Sequence, residues 1–463
     1  MLGTVLACAS QTTGLAFVVV RQTDQTLPAV ASNGNDYLVA WDDLARYTSS
    51  IFATRISSSG VVIDPAFIGP FSIYNYASFT PSAASNGRDY LLVWKNYGFA
   101  GEDNFYEIGG AIVTHDGIAT NAFDIGGSDP TFFVPTYPSL PTVASCGDNY
   151  LVAWEGPVSY LSPSGTYSTS YGIRGRLVTS SGALDGGFTI CPVGDSPKIA
   201  GGSTNFFVVW QAGGDVFGAI ADTNGAVSGP IPISTGPWEE AAPSVAYANG
   251  EFFVVWEDNR NDANTSFDIY GARVSTTGVL LDTNGIPIST QPSFEGNPSV
   301  ASDGSGFLVV WLDQDLTSEA ASLFGSHVSN AGAVLDSNRI AIASLVGSET
   351  SPAVACNGTN YLVVWSDTNG VTGQNIFGGQ VGTFVPGLRL SGISLGTNGV
   401  TTLSWNAIAG QTFRVQSTTD LGSSGWADIP GDVVATNTVA SKVDNAGANF
   451  PRRFYRVILL PSP

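Results

Sequence analysis

Three carboxylates recur at one offset in this chain. Glu240, Glu295 and Glu349 each stand three residues before a proline, at Pro243, Pro298 and Pro352. Asp195 sits one position later, before Pro197, and Gln25 takes the place before Pro28. Hard oxygens gathered this way can hold Ca²⁺, which takes six to eight of them. Held close, they can instead raise one another's pKa for proton transfer. Carboxylates merely solvated in loops do neither. A second acidic column follows a tryptophan by two positions: Asp43, Asp258, Asp313 and Asp367. Aspartate at the end of an extended segment commonly accepts from nearby backbone N–H groups, so this column reads first as local bonding.

Aromatic residues form a second candidate set. Tyr97, Phe99 and Phe105 cluster in one segment, Tyr160 and Tyr167 in another. Tyr74, Tyr76, Phe132, Phe133 and Tyr137 fall in adjoining stretches, and Trp238 stands alone two residues before Glu240. Such side chains can stack on sugars, anchor a protein partner, or pack long loops together. The candidate ligand contacts are Tyr97, Phe99, Phe132, Tyr137, Tyr160, Tyr167 and Trp238. The candidate Ca²⁺ ligands are Glu240, Glu295 and Glu349, and no catalytic residue is assigned.

Other chemistry is thin. The chain has two histidines, His115 and His327, with no spacing for a metal pair and no Ser-His-Asp set. No phosphate-cradling glycine loop is present. Net charge is −21, from 17 basic and 38 acidic residues, which repels phosphate backbones and excludes nucleic acid as a partner. No apolar run approaches the roughly 18 to 20 residues of a membrane helix.

A repeat positions these residues. Its copies read "PAVASNGNDYLVAW" at 28–41, "PSAASNGRDYLLVW" at 81–94, "PTVASCGDNYLVAW" at 141–154 and "PKIAGGSTNFFVVW" at 197–210. They continue with "PSVAYANGEFFVVW" at 243–256, "PSVASDGSGFLVVW" at 298–311 and "PAVACNGTNYLVVW" at 352–365. The Trp-to-Trp spacings are 53, 60, 56, 46, 55 and 54. A period of this size with several strands per unit signals a β-propeller. Strand A is the small-residue run after the proline, suited to a crowded centre. Asn-Gly or Asp-Gly pairs then mark type I′ hairpins. Strand B is the apolar run ending in Trp, buried on both faces. Strand C is "DIYGARV" at 268–274, with "DVFGAIA" at 215–221 and "NIFGGQV" at 375–381 as counterparts; strand D is brief, as "IPIS" at 286–289.

The seventh copy lacks a strand D, and "LAFVVV" at 15–20 has the spacing to supply it. That closure removes two exposed sheet edges. The expectation is an all-β chain: a seven-bladed β-propeller over 1–386, closed by an N-terminal strand, then a small β-sandwich over 387–463. The seven tryptophans end the most apolar strand of each copy and read as core. Each buries about 200 Å², at most ~5 kcal/mol.

Strand phase puts the A–B and C–D turns at one end. The longer B–C and D–A connections share the other, which is where function is expected. There the Glu residues should ring the channel mouth. Arg55 and Arg273, with His327 and Gln380 at the equivalent positions, read as hydrogen bonds between blades. The inner strands carry no carboxylate and one charge, Lys198, which weighs against catalysis from the channel wall.

Residues 256–274, "WEDNRNDANTSFDIYGARV", resemble secreted bacterial repeat proteins with a W-x-D…DIYG-x-R-V signature. The "LSWNAIAGQTFRVQST" and "FYRV" stretches resemble a fibronectin type III or immunoglobulin-like module. The resemblance implies a propeller and leaves activity open. The expected function is a secreted or cell-surface, non-catalytic monomer that binds glycan or protein through the elaborated end. The alternatives are a glycoside hydrolase or polysaccharide lyase using the mouth carboxylates, and a structural envelope protein. Three lysines among the 17 basic residues fit an extracellular setting. The opening "MLGTVLACASQTTG" lacks a basic leader, so a signal peptide is read as missing or truncated. Ring closure also raises a Cys8–Cys356 pairing.

Overall fold

The computed structural model describes residues 14–19, 23–45, 48–72, 77–100, 103–127, 139–161, 167–261, 266–318, 320–336, 338–345, 351–368, 374–383, 390–395, 400–407, 412–419, 426–436, 439–445 and 454–460. Cys8 lies outside them, so its pairing is not described; Cys356 carries a free thiol. Among the described residues there is no helix, and hence none long and apolar enough to cross a membrane.

One compact unit spans Thr13–Thr383 and a second includes Phe384–Pro463. The first holds seven four-stranded antiparallel sheets. Sheets 1 to 6 lie within 24–71, 77–127, 139–191, 195–234, 240–289 and 294–344. Sheet 7 takes its first three strands from 353–382 and its fourth from Gly14–Val19, which pairs with Gln374–Gly382. The first strands of successive sheets touch in order, and that of sheet 7 touches that of sheet 1. This closed succession is consistent with propeller blades.

Strand B explains why the repeat is apolar throughout. In sheet 1, Tyr37, Val39 and Trp41 pack against Leu362, Val364 and Ile376 of sheet 7. Leu38 and Ala40, on the opposite face, pack against Tyr90, Leu92 and Trp94 of sheet 2. A strand between two neighbours has no face left for water. The leading tyrosines also bond backward around the succession: Tyr37 Oη donates to Asn360 O at 2.6 Å, Tyr90 to Asp36 O and Tyr150 to Asp89 O, both at 3.1 Å.

Strand A carries a repeated irregularity. The residue before its proline is left-handed in six copies: Leu27, Thr80, Leu140, Ser196, Ala242 and Asn297, with φ between 47° and 52°. The pairing register shifts there each time. This is a bulge, one extra residue that swings the chain before it. Residues after the strand-B tryptophan support it from the preceding sheet. Glu155 accepts from Ser196 N and Glu257 from Asn297 N, each at 2.6 Å. Lys198, two residues past the bulge of sheet 4, touches solvent yet is enclosed by protein, and desolvation lowers its pKa. The other sheets place Ala29, Ser82, Thr142, Ser244, Ser299 and Ala353 there.

The second unit is two small sheets on one core. Leu390–Leu395, Thr401–Asn406 and Val439–Asp444 form the first. In the other, Thr412–Thr418 pairs with Ala427–Asp428, Val433–Val434 and Phe454–Leu459. Leu403 and Trp405 meet Phe413, Val415, Tyr455 and Val457, and Tyr455 Oη donates to Asp444 Oδ2 at 2.9 Å.

Candidate functional site

The B–C hairpins differ in height from sheet to sheet. In sheet 2, Tyr90–Ala100 pairs with Asp103–Val113, 11 residues each. In sheet 3, Asn149–Leu161 pairs with Tyr167–Val178, 13 and 12 residues. These segments, read from sequence as long loops, are paired strands: Tyr97 faces Tyr106 and Tyr160 faces Ser168 in register. Sheet 4 does the opposite. Asn205–Ala212 returns as Asp215–Asp222 through Gly213-Gly214 alone, 8 residues per strand. Both glycines have positive φ, +66° and +88°, which a two-residue turn demands. At about 3.4 Å per residue, the sheet 3 hairpin stands roughly 15 Å taller. Sheet 4 is therefore a notch in the rim.

An open cleft of about 620 Å³ lies over this notch, lined by Gly213, Gly214, Pro237, Trp238, Glu239 and Asn259. Trp238 is 48% exposed. Its loop is pinned on both sides. Glu240 N donates to Gly214 O at 2.7 Å. Glu239 N donates to Asn259 Oδ1 at 2.8 Å, and Asn259 N returns a bond to Glu239 O at 3.1 Å. Gly236 lets the indole lie on the backbone, since a Cβ there would sit 2.9 Å from Trp238 Cε3. Among the described residues, no atom beyond the adjoining chain lies within 4 Å of a Cβ built on Gly213 or Gly214, so the floor is open to a ligand.

A rigid layer backs the indole. The Arg260 guanidinium lies 5.8 Å from the Trp238 ring centroid and 4.1 Å from that of Tyr270. It is spent on structure: Nε and Nη2 donate to the two oxygens of Asp258 at 2.7 and 2.5 Å, and Nη1 donates to Asn284 O at 2.8 Å. Trp256 Nε1 also donates to Asp258, at 2.9 Å. Glu240 is 1% exposed, and its Oε2 has no hydrogen-bond partner among the described residues. Burial pushes its pKa up to about 7, with Asp258 and Asp215 adding repulsion.

Glu295 is fully buried in the next sheet. It accepts from Ser289 Oγ at 2.5 Å, Gln291 N at 3.2 Å, Trp311 Nε1 at 3.0 Å and Arg339 Nη1 at 3.3 Å. Arg339 also pairs with Asp313, which accepts from Ser293 Oγ at 2.7 Å. Glu240 and Glu295 are therefore buried rather than open at the channel mouth, Glu295 among four donors and Glu240 beneath the Trp238 loop. The bulge is the cause, because its extra residue sets Glu240 opposite Asp258 and Glu295 opposite Asp313. Among the described residues no three His, Cys, Asp or Glu side chains are placed to share a metal ion. Glu349, Phe132 and Tyr137 lie outside the described residues. Tyr97 is half-buried; Phe99, Tyr160 and Tyr167 fall on the tall hairpins of sheets 2 and 3. Of the aromatic candidates, Trp238 is the one the structure places in the cleft.

No family model matches the chain, and no curated protein does. Among solved structures it is similar to the phage phi92 endosialidase, at TM-score 0.45 and 8% identity, over 85% of this chain and 74% of that one. It is similar to an alpha-L-arabinanase of Penicillium chrysogenum complexed with arabinobiose, at TM-score 0.43 and 10% identity, over 81% and 98%. A Dyadobacter fermentans protein of unknown function matches at TM-score 0.43 and 10% identity, over 80% and 98%. Likenesses this distant carry no argument about this chain's chemistry.

Two features of the site escape the sequence reading. One is the carboxylate directly after the strand-B tryptophan, Asp42, Glu155 and Glu257, which braces the next sheet's bulge. Asp42 accepts from the Thr80 backbone, and burial pushes its pKa up to about 8. The other is Gly213-Gly214. Its signal is the shortest Trp-to-Trp interval, 46 residues from Trp210 to Trp256, beside one of 60 between Trp94 and Trp154.

Proposed function

We propose that the chain is an extracellular, glycan-binding protein: a seven-bladed propeller closed by its N-terminal strand, followed by a fibronectin type III or immunoglobulin-like sandwich. The supporting observation is Trp238, a half-exposed indole fixed over a bare glycine floor. A flat indole offers its face to the C–H groups of a sugar ring, while exposed Glu239 and half-buried Asn259 border it for hydroxyls. The cleft volume falls in the small-ligand range. A protein partner would need about 800 Å² of matching surface on each side.

One observation favours a second reading, cleavage of the bound glycan. Glu240 lies beneath the Trp238 loop with one oxygen unpartnered and a pKa near 7, a value suited to a general acid. Its burial means the loop must lift before it reaches substrate.

A glycan array probed with wild type and Trp238→Ala tests the proposal. Wild type should bind a defined set, and the variant should lose it. Absence of any wild-type binding, or an unchanged pattern in the variant, overturns it. Release of reducing ends by wild type but not by Glu240→Gln would establish the second reading.

A further inference from the structure

Among the described residues carboxylates outnumber cations around Trp238. Glu239 lines the cleft with an exposed carboxylate that makes no ion pair among the described residues. Glu240 lies just behind: the Cβ position of Gly236 is 2.9 Å from the indole and 3.5 Å from Glu240 Oε1. Asp215 and Asp258 are near enough to repel Glu240, and Glu239 near enough to repel Glu257. Among the described residues the cation against this set is Arg260, 5.8 Å from the indole centroid, and its Nε and Nη2 donate to Asp258 while Nη1 donates to Asn284. An indole face beside an unpaired carboxylate is the arrangement that receives an ammonium group. The same field repels a carboxylated or sulfated sugar.

We infer that the Trp238 cleft selects sugars bearing a free amine over their neutral counterparts and excludes uronates. This rests on the reading of the cleft as a sugar site. It goes beyond that reading by naming the ligand class, with Glu239 as the residue that sets it. The ammonium lies against the indole and the Glu239 carboxylate while the ring stacks over Gly213 and Gly214.

The test compares three oligosaccharides of matched length by calorimetry: de-N-acetylated glucosamine, N-acetylglucosamine and a uronate. Wild type should bind the amine form about tenfold more tightly than the N-acetyl form, the size of one cation–π contact plus one exposed charge pair. The uronate should bind weakest. Glu239→Gln should cut the amine-to-neutral ratio to about threefold or less, and added salt should narrow it further. Trp238→Ala keeps the net charge, so amine binding that survives in it is attraction to the acidic surface at large and overturns the inference. Equal or tighter binding of the N-acetyl or uronate form, lost in Trp238→Ala, overturns the charge selection while leaving the sugar site standing. No binding of any of the three at Trp238 removes both.

Discussion

The two ends of the sheet succession are built on opposite rules. At the end carrying the C–D turns, one device recurs. A side chain from strand C's return caps a strand-C N–H: Asp64 for Arg55, Thr120 for Ile112, Asp185 for Leu177, Ser228 for Ile220, Asp282 for Arg273 and Asp336 for His327, all between 2.7 and 3.0 Å. Long strand-C side chains then cross to the next sheet. Arg55 reaches His115 O, Arg273 reaches Asn330 O, His327 meets Gly382 O, and Gln380 reaches Ser58 O, joining sheet 7 to sheet 1. At the other end, the same positions hold different solutions. Asn96 bridges Ser78 and Trp94 in sheet 2; Asp258 and Arg260 serve Trp256 in sheet 5; Glu295, Asp313 and Arg339 serve Trp311 in sheet 6. The repeated end bonds sheet 1 to 2, 5 to 6, 6 to 7 and 7 to 1. The varied end shares one brace, the carboxylate after the strand-B tryptophan on the next sheet's bulge, but answers each buried indole differently and leaves Trp41 and Trp154 Nε1 without a partner among the described residues, so hairpin height and loop chemistry are free to shape a cleft.

Substitutions can break this contrast in order of size. Glu295→Ala strands the Trp311 N–H and the Ser289 hydroxyl at the varied end and leaves Arg339 to Asp313 alone, and should cost about 3 kcal/mol in denaturant unfolding. A loss under about 1 kcal/mol would mean the cluster is not an anchor.

Glu240→Gln tests the buried carboxylate beneath the cleft. Its folded pKa, about 7, is above the unfolded value, so Glu240 favours the folded state at low pH and that contribution is lost as pH rises through 7. The glutamine variant should therefore gain stability relative to wild type between pH 5 and pH 8, by up to about 3 kcal/mol. A difference between the two that does not vary with pH contradicts the burial of a titrating group.

Arg273→Ala removes the pair with Asp282 and the cross-sheet bond to Asn330, and should cost about 2 kcal/mol. Gln380→Ala removes one neutral bond between sheets 7 and 1, about 1 kcal/mol. If either substitution abolished sugar binding without unfolding the chain, the separation of assembly from recognition would fail. Trp238→Ala should cost about 1 kcal/mol, because half of its indole is already in water.

Much of this architecture is legible in the residues. The Trp-terminated strand recurs seven times because each copy fills the space between two neighbours, and Val18 lies ten residues before Pro28 as Ile288 does before Pro298, which points to the N-terminal strand of sheet 7. The position of Glu240 and Glu295 is not legible by counting. Alternation holds only while pairing is regular, and the bulges at Ala242 and Asn297 break the parity between proline and glutamate. Nor is the Glu295–Arg339 pair readable, since 44 residues separate partners joined through another strand. Trp238 stands out as an apolar residue in a polar loop; the notch beneath it depends on the heights of two neighbouring hairpins, which no local pattern encodes.

Recognition at the sheet 4 notch, rather than on the tall hairpins of sheets 2 and 3, would show in where a bound sugar sits. A crystal structure with a bound oligosaccharide tests this most directly. A sugar ring should stack on Trp238, about 4 Å from the indole, with a polar group on Glu239. A ligand seated on the Tyr97 hairpin or at the C–D end, with the notch empty, would contradict it.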